Sequence, residues 1–205
     1  MTRRRWRQMR PRSSDGKGLP LPGHLEQLWR EADTIWSENQ NRKSYGLYVA
    51  ADYGTVYQML RQLRRRAVTF LEWGSGLGVV TIMAASLGYD AYGIELEPEL
   101  ITRSRELAER YCPRAKFVQG NFIPSDYDWD SRCCDNDFRT SLEGPDAYRA
   151  MDMELRDFDL IYAFPWPDES EMFHDIVAQC SRNSMMLTYQ HREGLRLCRL
   201  VASGK

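Results

Sequence analysis

The sequence predicts an α/β protein built on an open, doubly wound, mostly parallel sheet with helices on both faces. Three observations predict it. From residue 68 onward, short apolar runs alternate with amphipathic helical stretches; "FLEWGSGLG" at 70–78 bends through three glycines between a strand and a helix; and "DFDLIYAFPWP" at 157–167 is a continuous apolar strand stopped by prolines. Strand, turn, helix and strand in succession imply a right-handed parallel crossover.

Taken in order, "MTRRRWRQMRPR" carries Arg3, Arg4, Arg5, Arg7, Arg10 and Arg12 without an acid, and the Gly- and Pro-bearing "SSDGKGLPLPG" follows. Residues 1–22 therefore read as a flexible arm. Its arginines would suit phosphates, but a solvated tail is the favoured reading, and Pro11 stands against a mitochondrial presequence. Residues 23–66 read as helices packed on the core. Leu25, Leu28, Trp29, Ala32, Ile35 and Trp36 share one helical face, and Val56, Met59, Leu60 and Leu63 share another. The main domain, 67–205, has strands expected at 68–73, 91–95, 116–119, 158–164 and 184–190 and an edge strand at 195–201. Helices are expected at 78–87, 98–111 and 169–181, with Pro98 suited to a first helical position. Residues 123–157 form an acidic insert without sustained periodicity, expected to be a mobile cover over a site.

Composition narrows the function. The chain has 28 Lys+Arg against 29 Asp+Glu and a net charge of -1, which gives no global reason for nucleic-acid binding. Its 205 residues suit one main domain with small additions. The five cysteines, Cys112, Cys133, Cys134, Cys180 and Cys198, contain no C-x-x-C pair and no apolar leader precedes them, so a reducing, cytoplasmic location is expected. No His or Cys stands at ligand spacing around Cys133 and Cys134, so no metal is expected. No stretch reaches the roughly 20 apolar residues of a membrane span, and no membrane partner is expected.

The glycine turn identifies the ligand class. Gly74, Gly76 and Gly78 allow close backbone approach, and Glu95, at the end of the next strand, is placed to accept from ribose hydroxyls. A dinucleotide turn has the spacing G-x-G-x-x-G and presents helix N–H groups to a pyrophosphate; here the spacing is G-x-G-x-G, and Glu72 would repel a pyrophosphate. A cationic sulfonium ligand suits the turn better. "EWGSGLG" and "GIELEPE" resemble the first and second motifs of the class I S-adenosylmethionine-dependent methyltransferases. The resemblance implies a Rossmann-like fold with an abbreviated C-terminal end, S-adenosyl-L-methionine as cofactor, Glu72 at the acidic position of the first motif and Glu95 at the ribose. It also implies Gly120 and Asn121 in "VQGNF" at the adenine edge, with Phe122 against the adenine ring. In "YGLYVAADYGTVY", Tyr48, Asp52 and Tyr53 fall where relatives fold a segment over the methionine end of the cofactor.

Methyl transfer from a sulfonium needs alignment and a dry pocket more than a nucleophile. Trp166, Asp168 and His191 are the candidate acceptor-side residues, Trp166 as a wall, Asp168 (with Glu169 beside it) for a cationic acceptor and His191 as a proton acceptor. "FPWPDE" is similar to the Asp/Asn-Pro-Pro-aromatic motif of amino-methyltransferases but lacks the leading amide or acid, so base methylation is not assigned and the expected acceptor is a protein amine or a small molecule. The alternatives are a nicotinamide-dependent oxidoreductase, or a non-catalytic binding protein using the arginine arm or the acidic insert as its contact surface.

Overall fold

The computed structural model describes residues 4–9, 21–45, 50–128, 139–141, 143–166, 168–181, 183–190 and 194–202. Among them, seven strands form one sheet: β1 (Arg4–Met9), β2 (Thr69–Trp73), β3 (Asp90–Glu95), β4 (Lys116–Gln119), β5 (Leu160–Ala163), β6 (Met185–Gln190) and β7 (Gly194–Ala202). Their order is β1-β7-β6-β5-β2-β3-β4. Strands β2 to β6 are parallel, and β7 is antiparallel to both β6 and β1. The chain winds outward from β2 through β3 to β4, then crosses to β5 on the other side of β2. That reversal opens a crevice beyond the carboxyl ends of the strands.

Among the described residues six α-helices cover the sheet: α1 (Gly23–Asn39), α2 (Tyr53–Leu63), α3 (Val79–Ser86), α4 (Pro98–Tyr111), α5 (Ala147–Met151) and α6 (Ser170–Cys180). Alternation along the strands divides the core in two. On β2, Phe70 joins the apolar residues of α1 to α4, while Leu71 and Trp73 join those of α5 and α6. Helix α3 is buried from Val79 to Ala85, as a helix with apolar residues on nearly every side, between a sheet and other helices, must be. In α4 only one stripe, which includes Leu100, Ile101, Leu107 and Ala108, is buried, and Pro98 sits in its first turn.

Two segments differ from the sequence expectation. Arg4–Met9, expected within a flexible arm, is strand β1 and pairs antiparallel along β7, from Arg4↔Ala202 to Met9↔Leu197. Strand β7 is therefore not the sheet edge. Among the described residues one strand, β7, follows β6, and β1 covers the hydrogen-bonding groups that β7 would otherwise leave unpaired. The second segment is the acidic insert, which is not uniformly loop. Asp146 caps α5 by accepting from the Arg149 N–H at 3.1 Å, and Ala147, Tyr148 and Leu155 are buried against α6 and the sheet.

Candidate functional site at the glycine turn

The turn between β2 and α3 is built on three left-handed glycines, Gly74 (φ 66°), Gly76 (φ 54°) and Gly78 (φ 76°). They serve two purposes. A Cβ on Gly74 would meet nothing within 4 Å, so this backbone faces open space in the cleft. A Cβ on Gly78 would lie 2.4 Å from the Phe117 ring, so this glycine lets the start of α3 close on β4 and does not line the cleft. Between them, Ser75 is 4% exposed and lines the cleft, and its hydroxyl has no partner among the described residues.

Two carboxylates tie the turn in place. Glu72, 4% exposed at the end of β2, accepts at one oxygen from the Thr81 backbone N–H (2.9 Å) and the Thr81 hydroxyl (2.5 Å). Burial pushes its pKa up to about 8 against the opposing effect of the Thr81 bonds. Glu95, at the end of β3, accepts from the backbone N–H of Gly76 (2.8 Å), Leu96 (2.8 Å) and Glu97 (3.0 Å). Its pKa is raised by burial, which outweighs these three donors. Both acids line the cleft, one on each side of the bend.

Next to Glu95, the end of β4 carries Asn121 and Phe122. The Asn121 amide does not project freely toward a ligand: it donates to the carbonyls of Ser141 (3.1 Å) and Glu143 (3.4 Å) and accepts from the Ile123 N–H (2.9 Å). Phe122 stacks on Trp73 with centroids 4.9 Å apart and tilts against Phe173. Trp73 Nε1 donates to the Tyr148 hydroxyl (3.0 Å), which donates to the Phe122 carbonyl (2.7 Å), so α5 holds the aromatic wall from behind.

On the other side of the crevice, Trp166 and Asp168 line the cleft, Asp168 exposed and Trp166 half-buried beneath the Arg139 guanidinium, 4.4 Å from its ring centroid. Glu169, expected beside Asp168 to face a cationic acceptor, is 2% exposed and engaged within the chain. It accepts from the Arg139 N–H (2.6 Å), the Thr140 N–H (2.9 Å) and the Thr140 hydroxyl (2.6 Å). Part of the middle of the acidic insert is thus held by Glu169 on one side and Asn121 on the other. The cleft has a volume of about 1850 Å³ and extends past α6, where His174 donates from Nδ1 to the Ser170 carbonyl (2.7 Å) and meets the Trp6 ring edge-on at 4.8 Å.

Tyr48, His191, Cys133 and Cys134 lie outside the described residues. Asp52 does not point to a ligand but caps α2, accepting from the Thr55 N–H (3.0 Å) and hydroxyl (2.7 Å), while Tyr53 lines the cleft. Trp6 and Tyr148 escaped sequence reasoning as contributors to the site, as did the strap-holding role of Glu169. For Trp6 the signal was the alternation of Arg5, Trp6, Arg7 and Gln8, a period of two hidden by the charge run.

No protein-family model matches the chain, and no curated protein matches it. Solved structures do. An O-methyltransferase from Bacillus cereus with bound S-adenosylhomocysteine superposes with a TM-score of 0.53 at 15% identity, over 83% of this chain and 67% of that one. A methyltransferase from Podospora anserina, also bound to S-adenosylhomocysteine, gives 0.51 at 16% identity over 82% of this chain and 62% of its own length. An RNA methyltransferase from Salinibacter ruber gives 0.51 at 15% identity, over 77% and 96%. The chain has the fold of these methyltransferases.

Proposed function

We propose that this chain is a class I S-adenosylmethionine-dependent methyltransferase. One observation carries the reading: Glu72 occupies the Thr81 N–H at the start of α3. The first N–H groups of a helix are what a dinucleotide fold offers to a pyrophosphate. Here a carboxyl group already holds one of them, and a second carboxylate, Glu95, borders the same turn. The occupied N–H speaks against a pyrophosphate and so against the nicotinamide reading, and a positively charged ligand without phosphate would draw Glu72, protonated when nothing is bound, into its ionised form.

The residues fit such a cofactor. Gly74 and Gly76 admit it to the backbone, Glu95 receives the ribose hydroxyls, and the Ser75 hydroxyl is an available partner inside the turn. Phe122, on its Trp73 support, offers an apolar face for the adenine. Asn121 acts through Ser141 and Glu143, whose carbonyls it holds, rather than by presenting its amide to the ligand. Tyr48 completes this set in the proposal. Bound there, S-adenosylmethionine supplies a methyl group already activated for displacement. The chain's part is to align an acceptor along the cleft past Trp166 and Asp168 and to exclude water, which the strap of residues 139–141 favours.

The proposal includes a methyltransferase domain over 67–205 with the helices of 23–66 packed on it, and a cytoplasmic setting. Cys112, Cys180 and Cys198 as free thiols support that setting. No helix among the described residues is long and apolar enough to cross a membrane. Calorimetry with S-adenosylmethionine, S-adenosylhomocysteine and NAD tests the cofactor assignment. The first two are expected to bind and NAD to bind more weakly or not at all, with Glu95→Ala losing about 1.5–3 kcal/mol through a charge-assisted hydrogen bond. Unchanged affinity in Glu95→Ala, or preference for NAD, would overturn it.

A further inference from the structure

Strand β1 presents different chemistry on its two faces. Trp6 and Gln8 line the cleft with Cys198, the register partner of Gln8. Arg5 and Arg7 point to the opposite face, and the register pairs Arg7 directly with Arg199 of β7. All three arginines are exposed, and none takes part in the ion pairs among the described residues. Strands β1 and β7, RRWRQM and GLRLCRLVA, contain no acid, and the sequence adds Arg3, Arg10 and Arg12 before and after β1.

Directly opposed like charges weaken a strand pair, since their Cβ atoms lie about 4.5–5.5 Å apart. A chain with 29 Asp+Glu has acids to place there, yet the pair stands without one. An anion bridging the two guanidiniums converts the repulsion into attraction. Arg5 and Arg7, two residues apart on a strand, are separated by about 6.7 Å. A row of cations at that repeat suits successive phosphates of a polymer better than a single phosphate ion. A membrane surface is disfavoured, because interfacial binding pairs basic groups with apolar side chains that enter the lipid. The exposed large hydrophobic residue among those described is Val68, at the start of β2 and separated from β7 by β5 and β6.

We propose that the Arg5–Arg7–Arg199 face of the β1–β7 ribbon, opposite the face that lines the cleft, binds the phosphate backbone of a nucleic acid. This reverses the expectation drawn from overall charge, because the arginines are fixed in a row rather than carried on a loose arm. The inference stands apart from the cofactor reading.

The test is fluorescence anisotropy of the full chain with a labelled, mixed-sequence single-stranded RNA across a salt series. The wild type is expected to bind with strong salt dependence. Arg7→Gln/Arg199→Gln is expected to weaken binding at least about tenfold and to flatten the slope of log K against log salt by about 1.4, at about 0.7 for each phosphate no longer neutralised. Arg7→Lys/Arg199→Lys, which keeps the charge, is expected to retain most of the affinity. Should the glutamine pair fail to fold, Arg5→Gln is expected to reduce the slope by about 0.7 on its own. Absence of wild-type binding at low salt, equal binding by the glutamine variants, or binding to phosphatidylserine vesicles that RNA does not displace would each overturn the proposal. Cofactor calorimetry on the same variants reads the methyltransferase proposal separately.

Discussion

Glu72 and Thr81 are joined twice across the glycine turn, by the backbone N–H and the hydroxyl of Thr81 donating to one carboxyl oxygen at 2.9 and 2.5 Å. The end of a parallel strand is thereby fastened to the first turn of the helix that follows it. Burial nonetheless dominates the ionisation, so the carboxyl is mostly protonated at neutral pH with nothing bound.

This gives a pH dependence of defined sign. The folded pKa of Glu72, about 8, lies above its ordinary value of 4.5, so its contribution to stability is full below pH 4.5 and is lost as pH rises toward 8. Urea unfolding from pH 5 to 9 is expected to show that decline, by a few kcal/mol at most, and Glu72→Gln is expected to flatten it. A cationic ligand favours the ionised form, so calorimetry at pH 7 in buffers of different ionisation enthalpy is expected to detect proton release on S-adenosylmethionine binding, and less in Glu72→Gln, where Glu95, also raised by burial, still responds.

Glu169 holds Arg139 and Thr140, and Asn121 holds Ser141 and Glu143, from opposite sides of the crevice. Glu169→Ala leaves two backbone N–H groups and a hydroxyl without their acceptor. Hydrogen exchange at 139–141 is expected to accelerate at least tenfold, with a global loss of about 1–3 kcal/mol. Unchanged exchange would mean that Glu169 does not hold the strap.

Gly74 and Gly78 share a left-handed backbone but not a neighbourhood. Gly74→Ala is expected to cost about 1–2 kcal/mol, from the conformation alone, and to weaken cofactor binding because the methyl enters the cleft. Gly78→Ala adds a clash at 2.4 Å with the Phe117 ring and is expected to cost about 2–5 kcal/mol. Thermal unfolding of the two variants side by side checks the order.

Tyr148 accepts from Trp73 and donates to the Phe122 carbonyl. Tyr148→Phe leaves a buried indole N–H unpaired and is expected to lose about 1–3 kcal/mol in urea unfolding. It is also expected to weaken cofactor binding if the Trp73–Phe122 stack forms the adenine wall.

Much of this fold was legible in the sequence because its central elements repeat simple periods. The strand ending at Trp73, the helix opening at Pro98 and the strand ending at Glu95 lie within a residue or two of the patterns that indicate them. What escaped depended on partners distant in sequence. The arginines of β1 disguise a strand whose mate is β7, almost the whole chain away. Nothing local reveals that the Asn121 amide is engaged by carbonyls of the insert, or that Glu169 binds Arg139 and Thr140 rather than an acceptor molecule. A side chain's type can be read from its own neighbourhood, but its hydrogen-bond partners are set by the loops that fold over it.

The Arg4↔Ala202 register also dictates a sequence of events during synthesis. Strand β1 must wait without a partner until β7 has left the ribosome, because among the described residues β7 is the strand it pairs with. Closure of that ribbon is therefore expected late in folding, as pairings of long sequence separation generally are, and a nascent chain stalled before β7 would display its arginines on an unanchored tail.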